Sequence, residues 1–237
     1  MIAYETPDFA CFKVYAQYGM GNAVEDYGSE ENESSSDRFY AIGATYNNGP
    51  FAAYLAVDSI NYATASNGTA PVTNPDSIDD SLTVTLGGSY DFEVVKIFAG
   101  AQYFDEIKLS KLNGAVNMSG MKFNVRGGGA NAMKFANTVK GWSLGVSGSI
   151  PVAGGNVLVG AAYLDAEAAD SIVNKQRAGD ELTRWIVSAG YDYPLSKRTN
   201  VYGVVTYNQD SLEYTNGKKP DQDPTVFGVM VGLRHKF

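Results

Sequence analysis

Cysteine, histidine and long apolar runs are almost absent from this sequence of 237 residues. Cys11 is the only cysteine and His235 is the only histidine. An internal disulfide and a cysteine-based metal or redox motif are therefore excluded, and a Ser-His-Asp triad would need His235 as its base. No run approaches the roughly 20 apolar residues of a transmembrane helix. We therefore expect no enzyme activity, no metal site and no cofactor.

Positive charge is also scarce. Lys and Arg number 18 against 26 Asp and Glu, which gives a formal net charge of −8. Nucleic acid is not an expected partner, because phosphate binding needs clustered cations. The first residues, 1–5, show no basic segment, apolar segment or cleavage site of a signal peptide. We expect either a protein that is not exported or a chain whose beginning is missing.

The sequence is rich in segments in which apolar and polar or small residues alternate. Residues 81–90, 142–150 and 224–237 each place apolar side chains on one side of a strand and small, polar or charged ones on the other. A scan for apolar windows misses this pattern, because the alternation averages away. Eleven strands are predicted, at 2–5, 12–18, 39–46, 51–58, 81–90, 95–103, 142–150, 156–165, 182–193, 200–209 and 224–237.

The connections between these strands alternate between short and long. An up-and-down membrane barrel has short turns at one end and long loops at the other, whereas a Greek-key sandwich gives no reason for this order. We therefore predict an all-β fold: one transmembrane, antiparallel, up-and-down β-barrel domain over residues 1–237. The short turns lie around residues 7, 48, 92, 153 and 197, and the long loops at 19–37, 59–80, 104–140, 166–181 and 210–223.

Charge placement predicts which side of each strand meets lipid. A Lys or Arg at the bilayer midplane costs about 2–4 kcal/mol, so the apolar frame, which has no charge in its middle, is expected to face lipid. The other frame, rich in Gly, Ser, Thr and Ala with no bulky apolar set, is expected to face water. The predicted pore-lining residues are Lys13, Tyr15, Gln17, Lys96, Gln102, Arg184, Arg234 and Lys236. The predicted aromatic girdle is Tyr18, Tyr46, Tyr90, Tyr103, Trp142, Tyr163, Trp185, Tyr191, Tyr207, Phe227 and Phe237.

The cations of the water-facing frame have two interpretations. They are scattered charges that solvate a pore wall, or they raise the local concentration of small anions and favour their passage. The basic loop at 104–140 would add to the second effect, and the acidic loop at 19–37 would oppose it.

Four segments carry a resemblance to a known family. Residues 191–202 (YDYPLSKRTNVY) resemble the penultimate hairpin of Gram-negative general porins, and residues 232–237 (GLRHKF) resemble their terminal strand, which ends in Phe. Residues 4–12 (YETPDFACF) are similar to the family's Tyr-Asp-Ser-Pro-x-Phe-Ala-Gly-Phe segment, with Cys11 where Gly is usual. Residues 38–50 match a further hairpin.

The resemblance implies a homotrimeric outer-membrane barrel of sixteen strands, of which this chain corresponds to strands six to sixteen. The signal peptide, the first five strands and the constriction loop would then be absent. An odd-stranded set leaves two raw edges, so we expect an incomplete barrel whose last strand is unpaired or pairs with residues 2–5. The resemblance also implies that Phe237 is the signal read by the outer-membrane assembly machinery.

The predicted function is a water-filled channel for passive diffusion of small hydrophilic solutes and ions, in contact with the lipid of a Gram-negative outer membrane. One alternative is a non-conducting outer-membrane barrel that acts as an adhesin or receptor through its long loops. Another is a soluble, secreted β-sandwich that serves as a binding module.

Overall fold

The computed structural model describes residues 1–19, 38–61, 79–108, 138–169, 179–213, 221 and 223–236. Strands occupy most of these residues, because alternating sequences rich in Val, Tyr, Phe and Thr suit a pleated sheet with two unlike faces. Within the same ranges, no helix has the length and apolar character needed to cross a membrane. The strands are β1 (Ile2–Glu5), β2 (Phe12–Gly19), β3 (Arg38–Asn48), β4 (Phe51–Asn61), β5 (Ser81–Asp91), β6 (Lys96–Lys108), β7 (Thr138–Val152), β8 (Gly155–Ala168), β9 (Glu181–Pro194), β10 (Thr199–Glu213) and β11 (Thr225–His235).

All eleven strands lie in one antiparallel sheet, and each pairs with its neighbours along the chain. The predicted strand count and up-and-down order are confirmed. The sandwich alternative is wrong, because the described strands form one sheet and no second layer. We call the edge that carries the tight turns at 6–11, 49–50, 92–95, 153–154 and 195–198 the short-turn end, and the opposite edge the long-loop end.

Several strands extend further toward the long-loop end than predicted. β6 continues to Lys108 and β7 already begins at Thr138, where a loop was expected over 104–140. β8 likewise reaches Ala168 and β10 reaches Glu213. The side chains of these extensions no longer alternate cleanly, but the backbone ladder continues, as in the pairing of Glu213 with Glu181. Backbone pairing needs no particular side chain, so the hydrophobic pattern underestimates these strands.

The sheet is not closed in the described part of the chain. β1 pairs only with β2 and β11 pairs only with β10, so the expectation of an unpaired last strand is confirmed and pairing of β11 with Ile2–Glu5 is not observed. Because the strand number is odd, both edge strands run from the long-loop end to the short-turn end. Antiparallel closure of this sheet therefore requires an odd number of further strands between β11 and β1.

A small apolar cluster is buried at the long-loop end. Phe104, Leu182 and Leu212 are almost completely inaccessible to solvent, and Val139 is fully buried beside them. The register places all four side chains on the same face as the predicted pore-lining residues. The expectation that this face has no bulky apolar set is therefore wrong. Single-strand alternation cannot detect such a cluster, because its members come from four different strands.

The turn between β1 and β2 explains why glycine suits position 11. Cys11 has a φ of 76°, in the left-handed region that costs a non-glycine residue about 1 kcal/mol or more. The turn holds this conformation with two hydrogen bonds of 3.0 Å: the Cys11 amide donates to Asp8 Oδ1, and the Asn47 amide donates to the Cys11 carbonyl. Cys11 contributes only its backbone N–H and carbonyl to these two bonds, so neither depends on the thiol.

We expect Cys11→Gly to raise the free energy of unfolding by about 1 kcal/mol, because glycine adopts this φ without a Cβ clash. Urea titration of the protein folded in detergent micelles measures the change. Cys11→Ala is the matched control, since it removes the thiol but keeps the Cβ, and its stability should stay near that of the native chain. Equal stabilisation by both substitutions would contradict the backbone explanation.

Candidate functional site

The two faces of the sheet have opposite chemistry. Residues paired across neighbouring strands share a face, so the register links the apolar frames of all eleven strands into one continuous surface, which we call the outer face. Its middle is exposed and carries no charged residue in the described strands. Representative members are Val14, Ile42, Leu55, Leu86, Ala101, Val146, Ala161, Val187, Val205 and Val229.

Aromatic side chains border this outer face at both ends. On β9 Trp185 and Tyr191 lie six positions apart, which is about 20 Å along a strand and close to the height of a membrane-facing apolar band. Rings touch along both rows, with centroids 5.5 Å apart for Trp142 and Tyr163 and 4.6 Å apart for Phe12 and Tyr46. Of the predicted girdle, Tyr18, Tyr103, Trp142, Tyr163, Trp185, Tyr207 and Phe227 lie toward the long-loop end, and Tyr46, Tyr90 and Tyr191 lie toward the short-turn end.

Phe237, predicted as both a girdle residue and the assembly signal, lies outside the described residues. Tyr191 has a second contact that its aromatic character did not predict. Its hydroxyl donates to the backbone carbonyls of Val152 (2.9 Å) and Ala153 (3.2 Å), so it also caps the turn between β7 and β8.

The opposite face, the inner face, holds the predicted pore-lining residues. Lys13, Tyr15 and Gln17 alternate along β2 with the outer-face residues. Lys96, Gln102, Arg184 and Arg234 take the corresponding inner positions of β6, β9 and β11, while Lys236 is exposed just beyond the end of β11. Gln102 Nε2 donates to Thr85 Oγ1 at 3.1 Å, which joins β6 to β5 across this wall.

Three of the predicted cations are paired with carboxylates that the sequence analysis did not single out. Lys13 Nζ lies 2.8 Å from Glu5 Oε1 at the exposed edge formed by β1 and β2. Arg184 makes a bidentate contact with Asp210, with Nε 2.5 Å from Oδ1 and Nη2 2.6 Å from Oδ2. That pair is largely withdrawn from water, with side-chain exposures of 18% for Arg184 and 8% for Asp210.

The third pair is looser and lies at the short-turn end. Arg234 Nη2 is 3.8 Å from Asp192 Oδ2, and its side chain is 61% exposed. Asn200 connects the two residues, because its amide nitrogen donates to Asp192 Oδ1 and its carbonyl oxygen accepts from Arg234 Nε at 3.0 Å. This polar ladder crosses β9, β10 and β11. An exposed pair of this kind is worth less than about 1 kcal/mol.

Lys96 differs from these cations. Its ammonium makes no ion pair with the described residues and lies 5.4 Å from the centroid of the Phe98 ring. Asp91 is its direct partner in the strand register, but Asp91 Oδ1 accepts a hydrogen bond from the Glu93 amide at 2.9 Å. Lys96 is therefore an inner-face cation whose charge no carboxylate in the described ranges neutralises by contact.

Sequence reasoning missed two groups on the inner face. One is the set of carboxylates Glu5, Asp192 and Asp210, whose partners lie on neighbouring strands. The other is the pair of exposed aromatic residues Tyr54 and Phe98. The alternating pattern of each strand predicts that both lie on this face, but only the pairing of β4 and β6 with β5 shows that they are close together. In the described ranges, no group of three His, Cys, Asp or Glu side chains is arranged to hold a metal ion.

Comparison with known proteins agrees with this two-faced sheet. Residues 1–212 match the sequence profile of the Gram-negative porins. The chain belongs to the Gram-negative porin family. An outer membrane porin protein of Bordetella pertussis is 31% identical to this porin over 257 aligned positions, and outer membrane porin protein 32 of Delftia acidovorans is 28% identical over 248. The predicted location, the outer membrane of a Gram-negative bacterium, is confirmed.

This porin spans little more than half the length of those relatives. Both alignments include the whole of the chain but only 57% of the Bordetella protein and 56% of the Delftia protein. This chain likewise covers only 58% and 63% of two structurally similar porin chains. The anion-selective porin from Comamonas acidovorans has a TM-score of 0.59 and 22% identity, with 99% of this chain and 58% of that chain covered.

Outer-membrane expressed OmpT of Vibrio cholerae is a second structural neighbour, with a TM-score of 0.58, 17% identity and coverage of 98% of this chain and 63% of that one. At these identities the similarity concerns the fold. The predicted fold class, an incomplete porin-type barrel of eleven antiparallel strands, is confirmed.

Proposed function

We propose that this chain forms the greater part of the wall of a water-filled channel, through which small hydrophilic solutes and ions diffuse passively. The observation that carries the proposal is the unlike chemistry of the two faces. A charge-free apolar surface bordered by aromatic rings suits lipid, while the opposite surface carries hydrogen-bonded side chains and ions of both signs. Diffusion through such a lumen needs no catalytic group, so the chain is not an enzyme in this proposal.

Its partners follow from the same proposal. Lipid of the outer membrane would cover the outer face, and the assembly machinery of that membrane would insert the protein. Strands supplied in odd number would have to complete the sheet, because unpaired backbone groups are not tolerated in hydrocarbon. The homotrimer implied by the resemblance would pack such completed barrels side by side.

Planar-bilayer conductance tests the channel. We would join the chain to the part of the Bordetella pertussis relative that it does not match, so that the sheet can close. Discrete ion-current steps are expected from this chimera, as from the intact relative measured in parallel. A chimera that folds, as judged by mobility that changes on heating in a gel, but gives no steps would refute the channel and favour the adhesin or receptor alternative.

The paired and unpaired cations give different expectations for ion selectivity. Lys96→Gln in the conducting chimera should lower the anion-to-cation permeability ratio by less than about five-fold, because one unit charge in water is worth about 1 kcal/mol at 4 Å. Lys13→Gln should change the ratio less, since Glu5 already neutralises Lys13 by contact. Reversal potentials in a salt gradient measure both. A larger change in the permeability ratio for Lys13→Gln than for Lys96→Gln would contradict the view that contact with a carboxylate reduces the contribution of a lysine to selectivity.

A further inference from the structure

Two aromatic side chains of the described strands are exposed on the inner face, where a watery lumen offers them no apolar cover. Tyr54 on β4 is 44% exposed and Phe98 on β6 is 39% exposed. Both occupy inner positions of the register, opposite Gly87 and Ser89 of the intervening strand β5. Exposed rings in water gain free energy when another flat apolar surface covers them.

A depression of about 380 Å³ lies between these two rings. Its lining includes the hydroxyl or amide groups of Thr45, Asn47, Ser89 and Ser147. Gly88, Gly100 and Gly145 also line it, and Gly87 lies opposite Tyr54 in the strand register. At Gly87 a Cβ would lie 2.5 Å from the Tyr54 ring, so the absence of a side chain there allows Tyr54 to lie flat across the sheet.

A cation of the inner face, Lys96, adjoins one of the rings that line this depression. Lys96 Nζ lies 5.4 Å from the centroid of the Phe98 ring and makes no ion pair in the described part of the chain. Asp91, the only carboxylate directly opposite Lys96, accepts a hydrogen bond within its own turn. A positive charge, two rings and a set of hydrogen-bonding groups thus adjoin one another on the lumen side of β3–β7.

We propose that this depression binds small aromatic carboxylates of the benzoate type. The ring of the solute stacks against Tyr54 and Phe98, and its carboxylate approaches the ammonium of Lys96. A neutral aromatic solute would lack the contact with the Lys96 ammonium, and acetate would lack the stacking on the two rings. The inference rests on the proposed channel, because the solute reaches the inner face only from water in the lumen.

Binding of 4-fluorobenzoate to the full chain, folded in detergent micelles, tests the proposal without requiring conduction. Fluorine NMR linewidth, titrated with unlabelled benzoate, gives the affinity. Saturable broadening is expected, and competition should be stronger with benzoate than with benzyl alcohol or acetate. Phe98→Leu should weaken binding about 3–10-fold through lost stacking. Lys96→Gln should weaken benzoate binding about 2–5-fold, but it should leave the affinity for benzyl alcohol unchanged.

Matched variants separate the site from general effects of the detergent surface. Lys13→Gln removes a paired cation elsewhere on the inner face and should leave fluorobenzoate binding unchanged. Asp91→Asn removes the carboxylate opposite Lys96 and should strengthen binding. The proposal is overturned if broadening is not saturable, or if folded Phe98→Leu and Lys96→Gln both bind as the native chain does. Loss of conductance in the chimera with saturable binding intact would instead overturn only the channel.

Discussion

Replacing Asp210 with asparagine is expected to lower the free energy of unfolding by about 3 kcal/mol, among the largest effects of any single substitution in the described wall. The guanidinium of Arg184 would keep its burial but lose both charge-assisted contacts with the carboxylate. Removing one partner of a buried ion pair typically costs about 3–5 kcal/mol, because the remaining buried charge loses its contact with the opposite charge. Urea titration of the folded protein in detergent micelles, followed by tryptophan fluorescence, measures the loss.

Asp192→Asn is the matched control for this substitution. Asp192 also faces an arginine across the inner face, but Arg234 is 61% exposed and water can replace the lost contact. Its cost should stay below about 1 kcal/mol. The double variant Arg184→Leu/Asp210→Leu should recover most of the stability lost in Asp210→Asn, because both charges of the pair are then replaced by apolar side chains. Equal losses for Asp192→Asn and Asp210→Asn would show that burial does not determine the strength of these pairs.

Placing an arginine in the middle of the outer face should be nearly as damaging. Val146 is 53% exposed and lies on β7 between Trp142 of one aromatic row and the turn at the other end. If lipid covers this face, Val146→Arg should cost about 2–4 kcal/mol. Equilibrium unfolding from lipid vesicles, rather than from micelles, is the appropriate measurement, because micelles deform readily around a charge.

Ser147→Arg provides the comparison at the next residue. Ser147 points to the inner face, where an arginine would remain in water, so its cost should be less than about 1 kcal/mol. Swapped effects, with Ser147→Arg more harmful than Val146→Arg, would mean that the face of the sheet toward lipid has been assigned the wrong way round. The result is therefore a direct test of the orientation, independent of whether the completed barrel conducts.

Strand number, strand order and the division into two faces were predictable from the residues alone. Each strand's side chains alternate with a period of two, so a single segment such as β5 (Ser81–Asp91) already assigns its Leu, Val and Tyr to one face and its Thr and Ser to the other. The alternation of short turns with long loops then implied an up-and-down order. The exact strand ends were less predictable, because backbone ladders continue past the last alternating side chain.

The relations between strands were decided only by the tertiary structure. Arg184 and Asp210 are 26 positions apart, and their meeting depends on the register of β9 and β10, which no local pattern encodes. The same holds for Tyr54 and Phe98, which adjoin one depression from strands that are not neighbours. By itself, then, the sequence determined which residues share the apolar face of the sheet and which share the polar face, because that property belongs to one strand. Pairing determined which charges are neutralised, which remain available and where the sheet stays open, because those properties belong to the sheet.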